Sequence, residues 1–204
     1  MVVNRVKFTR DEILNIKSAA LAGHNGWDNN PELKKVKDKI KDFSIIKTNE
    51  RCCYCGRNVK GEFRMVLDIE HILPKSLYLR YMFTMKNLSV ACKRCNMSIK
   101  KNRVDFLEDS IVLTSKVFKS KHYKFIHPNL DKFDAHLLLA GIQLGKNMIV
   151  KYHVVKDSDK GKFNYAYFKL DALEKDSFDR GQGGRKRAEI NNQSVRNMFN
   201  DLVL

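Results

Sequence analysis

The chain has 204 residues, with 39 Lys plus Arg against 23 Asp plus Glu and a formal charge of +16. That length suits one compact domain with a real core, and the surplus of cations argues against a neutral surface and for a polyanionic partner such as nucleic acid. The longest greasy stretch, "HLLLAGIQLG" from His136, is well short of the ~18 apolar residues that span a bilayer. Charged residues from Arg5 to Glu12 interrupt the start before a signal peptide could develop, so a cytoplasmic protein with no membrane partner is expected.

In chain order, Thr9 precedes "RDEILNIKSAALAGHNGW" as a cap with acids in the first turn, which predicts a helix ending near Gly23. A second helix is expected in "NNPELKKVKDKIKDF", capped by Asn30 with Pro31 at its first position. Its apolar stripe would be Leu33, Val36, Ile40 and Phe43, and its other face is rich in lysine. From Arg51 to about Arg103 the chain carries cysteine pairs, a hairpin-like pair of short strands around "GEFRMVLDIEHIL" and a polar connection. Beyond it come "SIVLTSKVF", a His/Pro loop at "KFIHPNLDKF" and a helix from Asp134. A hairpin of "NMIVKYHVV" and "FNYAYFKL" across "KDSDKGK" follows, then a glycine-broken helical region from "DALEKDSFDRGQGG" onward. This divides the chain into an N-terminal helical segment (1–48), a central core (49–110) and a C-terminal α+β extension (111–204) packing on it, α+β overall.

A reducing compartment disfavours structural disulfides, so the five cysteines need another use. Cys52 and Cys55 form one CxxC, and Cys92 and Cys95 another. Zinc prefers a tetrahedron of thiolates or imidazoles, and two knuckles complete a closed four-sulfur site. Cys53 lies between ligands and is read as non-ligating, with exchange of Cys53 for Cys52 left open. The competing reading, cysteines as small buried apolar residues, does not account for two pairs of identical spacing. A zinc with four thiolates has no open position for a substrate, so it staples the fold and chemistry must lie elsewhere.

Between and beside the knuckles stand Asp68, Glu70, His71, Asn87 and Asn96, all metal-ligand or proton-transfer types. "IEHILPKS" followed by "KNLSVACKRCNMSIKKNR" resembles the HNH endonucleases, whose pattern is an acid and a His, then Asn-Leu, then CxxCN and a Lys. The resemblance covers about a quarter of the chain. It implies a ββα-metal fold, hydrolysis of phosphodiester bonds, and one catalytic divalent ion, Mg²⁺ or Mn²⁺, besides the structural Zn²⁺. Carried over by position, His71 is the general base that activates water, Glu70 and Asn96 hold the ion, and Asn87 braces the loop carrying His71. Asp68, in phase with Glu70, is an outer carboxylate or an alternative ligand. Asn96 is expected to open the helix "NMSIKKNR", as a cap, a ligand or both, and Lys75, Lys100, Lys101 and Arg103 to reach phosphates of DNA or RNA. Successive strand residues point to opposite faces, so Glu70 and His71 converge only where the strand bends, and Pro74 helps to end it.

Two positions depart from the family pattern. Glu70 stands where many members have Asp, and Asn96 where many have His, a change that favours oxygen-loving ions over zinc at that place. With the downstream "HPNLDKFDAHL", the layout is also similar to the HNH partner proteins of Septu-type and retron-associated anti-phage systems, which implies a partner ATPase. The alternative reading is a non-catalytic zinc-knuckle module that binds nucleic acid, or an assembly subunit whose nuclease is silent until a partner releases it.

Overall fold

The computed structural model describes residues 5–108, 117–176 and 197. The first helix, α1 (Arg10–Leu21), is started by a reciprocal capping box: the Glu12 backbone N–H donates to Thr9 Oγ1 and the Thr9 N–H to Glu12 Oε2. A short α2 (Asn25–Asn29) follows a left-handed Gly23. Gly26 presses on α1 so closely that a Cβ there would lie 2.1 Å from the Ala19 carbonyl oxygen, so only glycine permits this approach. Asn30 accepts from the Glu32 N–H, Pro31 opens one 3₁₀ turn, and α3 runs Lys34–Lys47. Leu33, Val36 and Ile40 are buried as their spacing predicts, but Ser44 rather than Phe43 takes the next buried position. Together with Ala19, Trp27, Met82 and Leu88 they make the smaller of two apolar clusters.

Strand β1 (Leu67–His71) pairs antiparallel with β2 (Leu88–Cys92), in the register Leu67↔Cys92, Ile69↔Val90 and His71↔Leu88. The hairpin expected inside "GEFRMVLDIEHIL" is therefore not formed. Arg64–Val66 is a 3₁₀ turn, and Arg64 is drawn instead to Asp38 and Asp42 on α3. After β2 the chain enters a π-helix, Arg94–Lys100, in which the Lys101 N–H reaches back five residues to the Asn96 carbonyl at 2.8 Å. The wide spacing puts Cys95 and Lys100 together on the buried side. Two strands and this helix form the ββα unit of an α+β fold.

The C-terminal half differs from its sequence reading in two places. "LLLAGIQL" is β3 (Leu137–Leu144), not a helix from Asp134, where there is one 3₁₀ turn at Phe133–Ala135. It pairs with β4 (Asn147–Val154) across a turn where Gly145 takes a left-handed conformation, and β4 also pairs with β5 (Lys175–Asp176). "FNYAYFKL" lies in and just after a helix, α4 (Asp159–Tyr167), started by the Ser158 side chain accepting from the Gly161 N–H. The aromatic run that suggested a strand is spaced for a helix: Phe163 and Tyr167, four apart, stack at 5.3 Å. The segment "SIVLTSKVF" falls mainly, and the glycine-broken C-terminal region almost wholly, outside the described residues.

The larger apolar cluster joins the knuckle residues to Phe106, Tyr123, Phe125, Phe168 and Leu170. Tyr54 stacks on Phe168 at 4.4 Å, the Asn164 amide donates to the Tyr54 carbonyl, and the Tyr152 hydroxyl donates to the Cys55 carbonyl. Arg94 donates to the Phe168 and Lys169 carbonyls. No helix among the described residues is long and apolar enough to cross a membrane.

Candidate active site

Cys52, Cys55, Cys92 and Cys95 are all buried, with their sulfurs within 4.8 Å of one another. Cys55 Sγ and Cys92 Sγ are 3.9 Å apart, against the ~3.8 Å that a tetrahedron with ~2.3 Å zinc–sulfur bonds requires. The Cys92 N–H donates to Cys52 Sγ at 3.2 Å, tying one knuckle to the other. The sulfurs compete within the cluster: hydrogen bonds from Cys52, Cys55 and Cys95 pull the Cys92 thiol far down, while those from Cys52 and Cys92 push Cys55 and Cys95 up. A cation would relieve that competition, and the donor set and spacing fit zinc. Cys53 is not in the cluster; burial pushes its thiol well up, and its N–H is spent on the Val90 carbonyl.

Around the other end of the two-stranded ladder, at Glu70 and His71, lies a cleft of about 330 Å³. Its lining includes Glu70 and His71 from the end of β1, Asn96 and Lys100 from the π-helix, and Trp27 from α2. Six of the residues singled out from sequence, Glu70, His71, Lys75, Asn96, Lys100 and Lys101, thus share one surface.

His71 is 8% exposed, its ring meeting the Trp27 ring edge-on at 4.5 Å. Its Nε2 lies 3.1 Å from the Met82 carbonyl oxygen. A carbonyl only accepts, so Nε2 carries the proton and Nδ1 keeps its lone pair. Burial pushes the imidazole down to about 3, so it is neutral across the physiological range.

Asn87, fully buried, holds the loop that links His71 to Met82. Its Oδ1 accepts from the Leu73 N–H at 2.7 Å, and its Nδ2 donates to the Leu73 and Tyr81 carbonyls at 3.0 and 3.2 Å. One side chain therefore fixes both ends of the loop, next to the imidazole and next to the carbonyl that orients it.

Glu70 is 2% exposed, and its Oε1 accepts from Tyr54 Oη at 2.9 Å and Lys100 Nζ at 2.6 Å. Burial outweighs these donors and raises its carboxyl above the ordinary value. Its Oε2 makes no hydrogen bond among the described residues. Glu70 and Asn96 bring carboxylate and amide oxygens to the same cleft, a donor set that suits a hard divalent ion.

Several expectations are corrected. Lys100 is not a surface phosphate contact: it is 1% exposed and donates to Glu70, to the His71 carbonyl at 2.7 Å and to the Lys101 carbonyl. Asp68 does not line the cleft; its carboxylate pairs with Lys93 at 3.0 Å. Asn96 does not open its helix, which starts two residues earlier at Arg94. Lys75 lines the cleft but is paired with Asp28 at 2.8 Å, and Arg103 is paired with Asp105 and stacked on Tyr167. Lys101 lines the cleft with no acidic partner among the described residues.

Sequence reasoning missed the wall supplied by His24, Trp27 and Asp28, which comes from a helix some 40 residues before His71 and bears no motif. It also missed Tyr54, hidden inside the first CxxC.

The chain is 31% identical over 91 residues, 45% of its length, to Septu protein PtuB of Bacillus thuringiensis, and the match spans about a third (34%) of that protein. No solved structure matches. The model of the HNH endonuclease family, whose description points to nuclease activity, matches residues 52–102, so the segment that carries both the sulfur cluster and most of the cleft is an HNH domain.

Proposed function

We propose that this protein is a metal-dependent HNH endonuclease that hydrolyses phosphodiester bonds of nucleic acid, DNA rather than RNA, from a cytoplasmic location. The observation that carries this is the His71 imidazole, held as the Nε2–H tautomer by a backbone carbonyl in the cleft that Glu70 and Asn96 also line. A neutral Nδ1 facing an attacking water can take its proton, and Asn87 keeps the ring and its carbonyl in register. Glu70 and Asn96 would hold Mg²⁺ or Mn²⁺, which supplies Lewis-acid stabilisation of the charge that builds on the phosphate oxygens. Lys100 orients Glu70, so that Oε2 is the oxygen left for the ion. Lys75 and Lys101, on the rim, would meet the flanking phosphates. The four-sulfur site would hold structural Zn²⁺, which a reducing cytoplasm leaves free of disulfide formation.

The likeness to a Septu protein supports a role as an anti-phage effector, and the resemblance seen in the sequence adds a partner ATPase to that role. One feature favours the reading of a restrained subunit: His71 is covered by Trp27, and Glu70 by Lys100 and Tyr54. Nicking of supercoiled plasmid with and without Mg²⁺, for the wild type and His71→Ala and with co-purified partner added or withheld, tests these readings. Metal-dependent nicking lost in His71→Ala supports the enzyme; binding without cleavage under every condition supports the zinc-knuckle module.

A further inference from the structure

The loop "HPNLD", in the C-terminal extension, is tied directly to the segment that carries Asn87. Asn129 Nδ2 lies 3.3, 3.0 and 2.8 Å from the carbonyl oxygens of Met85, Lys86 and Leu88. Its Oδ1 accepts from Lys47 Nζ at 2.7 Å. Carbonyls only accept and an ammonium only donates, so the chemistry of the neighbours fixes which way the amide points. Two N–H bonds are thus shared among three carbonyls that converge from the peptides on either side of Asn87.

The loop bearing Asn129 is itself held in place. Its backbone N–H donates to His127 Nδ1, and the His127 N–H donates to Asp131 Oδ2. Asp131 in turn pairs with Lys160 at 2.6 Å and accepts from the Ser120 hydroxyl. Asn129 therefore stands on a fixed base of the extension and grips the turn Met85–Asn87 and the first residue of β2. Asn87, inside that grip, fixes Leu73 and Tyr81, and so the ends of the loop that hold His71 and the Met82 carbonyl.

We propose that Asn129 is a positioning residue for the nuclease centre, acting through Asn87 to keep the His71 imidazole in a single orientation and tautomer. The extension then supplies part of the catalytic scaffold. This rests on the proposed nuclease function, and the test separates the two.

The full-length, zinc-loaded protein is measured as Asn129→Ala and Asn129→Asp, the latter setting a carboxylate against the three carbonyls. Lys47→Met removes the partner on the Oδ1 side only, and Glu174→Gln removes the carboxylate oxygen that accepts from Lys151 Nζ, outside this loop. At a temperature where all are folded, both Asn129 variants should lose roughly 10- to 100-fold in kcat with KM and DNA affinity unchanged. Lys47→Met and Glu174→Gln should keep kcat within about twofold. Nitrogen-15 spectra of the imidazoles should show His71 as one Nε2–H tautomer in the wild type and as a mixture in the Asn129 variants. Unchanged kcat in Asn129→Ala, or an equal loss in Glu174→Gln at matched melting temperature, overturns the proposal. If Asn129→Ala does not fold, Asn129→Asp carries the same readouts. If the wild type cleaves neither alone nor with a co-purified partner, the nuclease reading fails, and the ring spectra alone decide: an unaltered His71 tautomer in the variants overturns the brace.

Discussion

Replacing Lys100 by Met should be among the most costly single changes in the protein, and its cost should depend on pH. Lys100 Nζ donates to Glu70 Oε1 at 2.6 Å, to the His71 carbonyl at 2.7 Å and to the Lys101 carbonyl at 3.3 Å. Methionine has similar bulk but no donor. It leaves a carboxylate that is 2% exposed with one neutral donor, the Tyr54 hydroxyl. Removing one partner of a buried pair strands the other charge, at about 3–5 kcal/mol. Burial already holds the Glu70 carboxyl above its usual range, and without the ammonium it rises further. Because the folded state then binds that proton more tightly than the unfolded chain, the charge penalty is complete above the folded value. It fades as pH falls through that value and is absent below the unfolded one, leaving about 1–2 kcal/mol for the lost carbonyl hydrogen bonds. The assay is urea unfolding with zinc present at pH 7 and pH 5, followed by the fluorescence of Trp27, the only tryptophan, which sits against His71. Adding Glu70→Gln should recover part of the pH 7 loss and remove its pH dependence. A Lys100→Met loss below about 1 kcal/mol at pH 7, or one that does not shrink at pH 5, would refute the reasoning.

Cys92→Ser should abolish tight zinc binding, measured as metal content after gel filtration, and leave a chain without cooperative unfolding, because in such modules metal binding supplies folding free energy. His71→Ala should reduce cleavage by at least about 100-fold while DNA affinity in a filter-binding assay stays within about twofold. With burial holding the imidazole at about 3, His71 in the zinc-loaded wild type, with Mg²⁺ and Mn²⁺ left out, should show no titration between pH 5 and 8 by nitrogen-15 NMR. Glu70→Ala and Asn96→Ala should each raise the Mn²⁺ concentration for half-maximal cleavage, with Mn²⁺ binding followed separately by EPR; unchanged metal dependence in both would remove them as ligands.

Local chemistry was legible in the sequence, and long-range chemistry was not. The Thr9–Glu12 box and the Asn30–Pro31 start involve groups a few residues apart, so composition is enough to place them. The cysteine pairs were legible because two identical spacings leave little room for another use, and the sulfurs do converge. Lys100 was misplaced because lysine is normally exposed, and only the five-residue back-bond of the π-helix turns it inward beside Cys95. "FNYAYFKL" misled because aromatics fit strands and helices alike, and the Ser158 cap outside it was the better signal. "LLLAGIQL" misled for the converse reason: it is an apolar run short enough to be either, and its pairing with β4 is set by the glycine turn.

The HNH match ends at residue 102, yet the site does not close on those residues alone. A two-stranded sheet of five residues a side is at best marginal in water, so its order must come from what is packed around it. The sulfur cluster pins Leu67↔Cys92 at one end of the ladder, and His71↔Leu88 at the other end sits against Trp27, Ile40 and Met82 in the N-terminal cluster. The third support is the extension, through Tyr54 on Phe168 and Asn129 on the carbonyls around Asn87. Each support acts next to a different functional group: zinc-site sulfurs beside the π-helix that carries Asn96 and Lys100, the Trp27 ring beside His71, and the Tyr54 hydroxyl beside Glu70. Loosening any one should therefore disturb one group before it unfolds the whole. The flanks of this HNH domain are better regarded as parts of its cleft than as attachments to it.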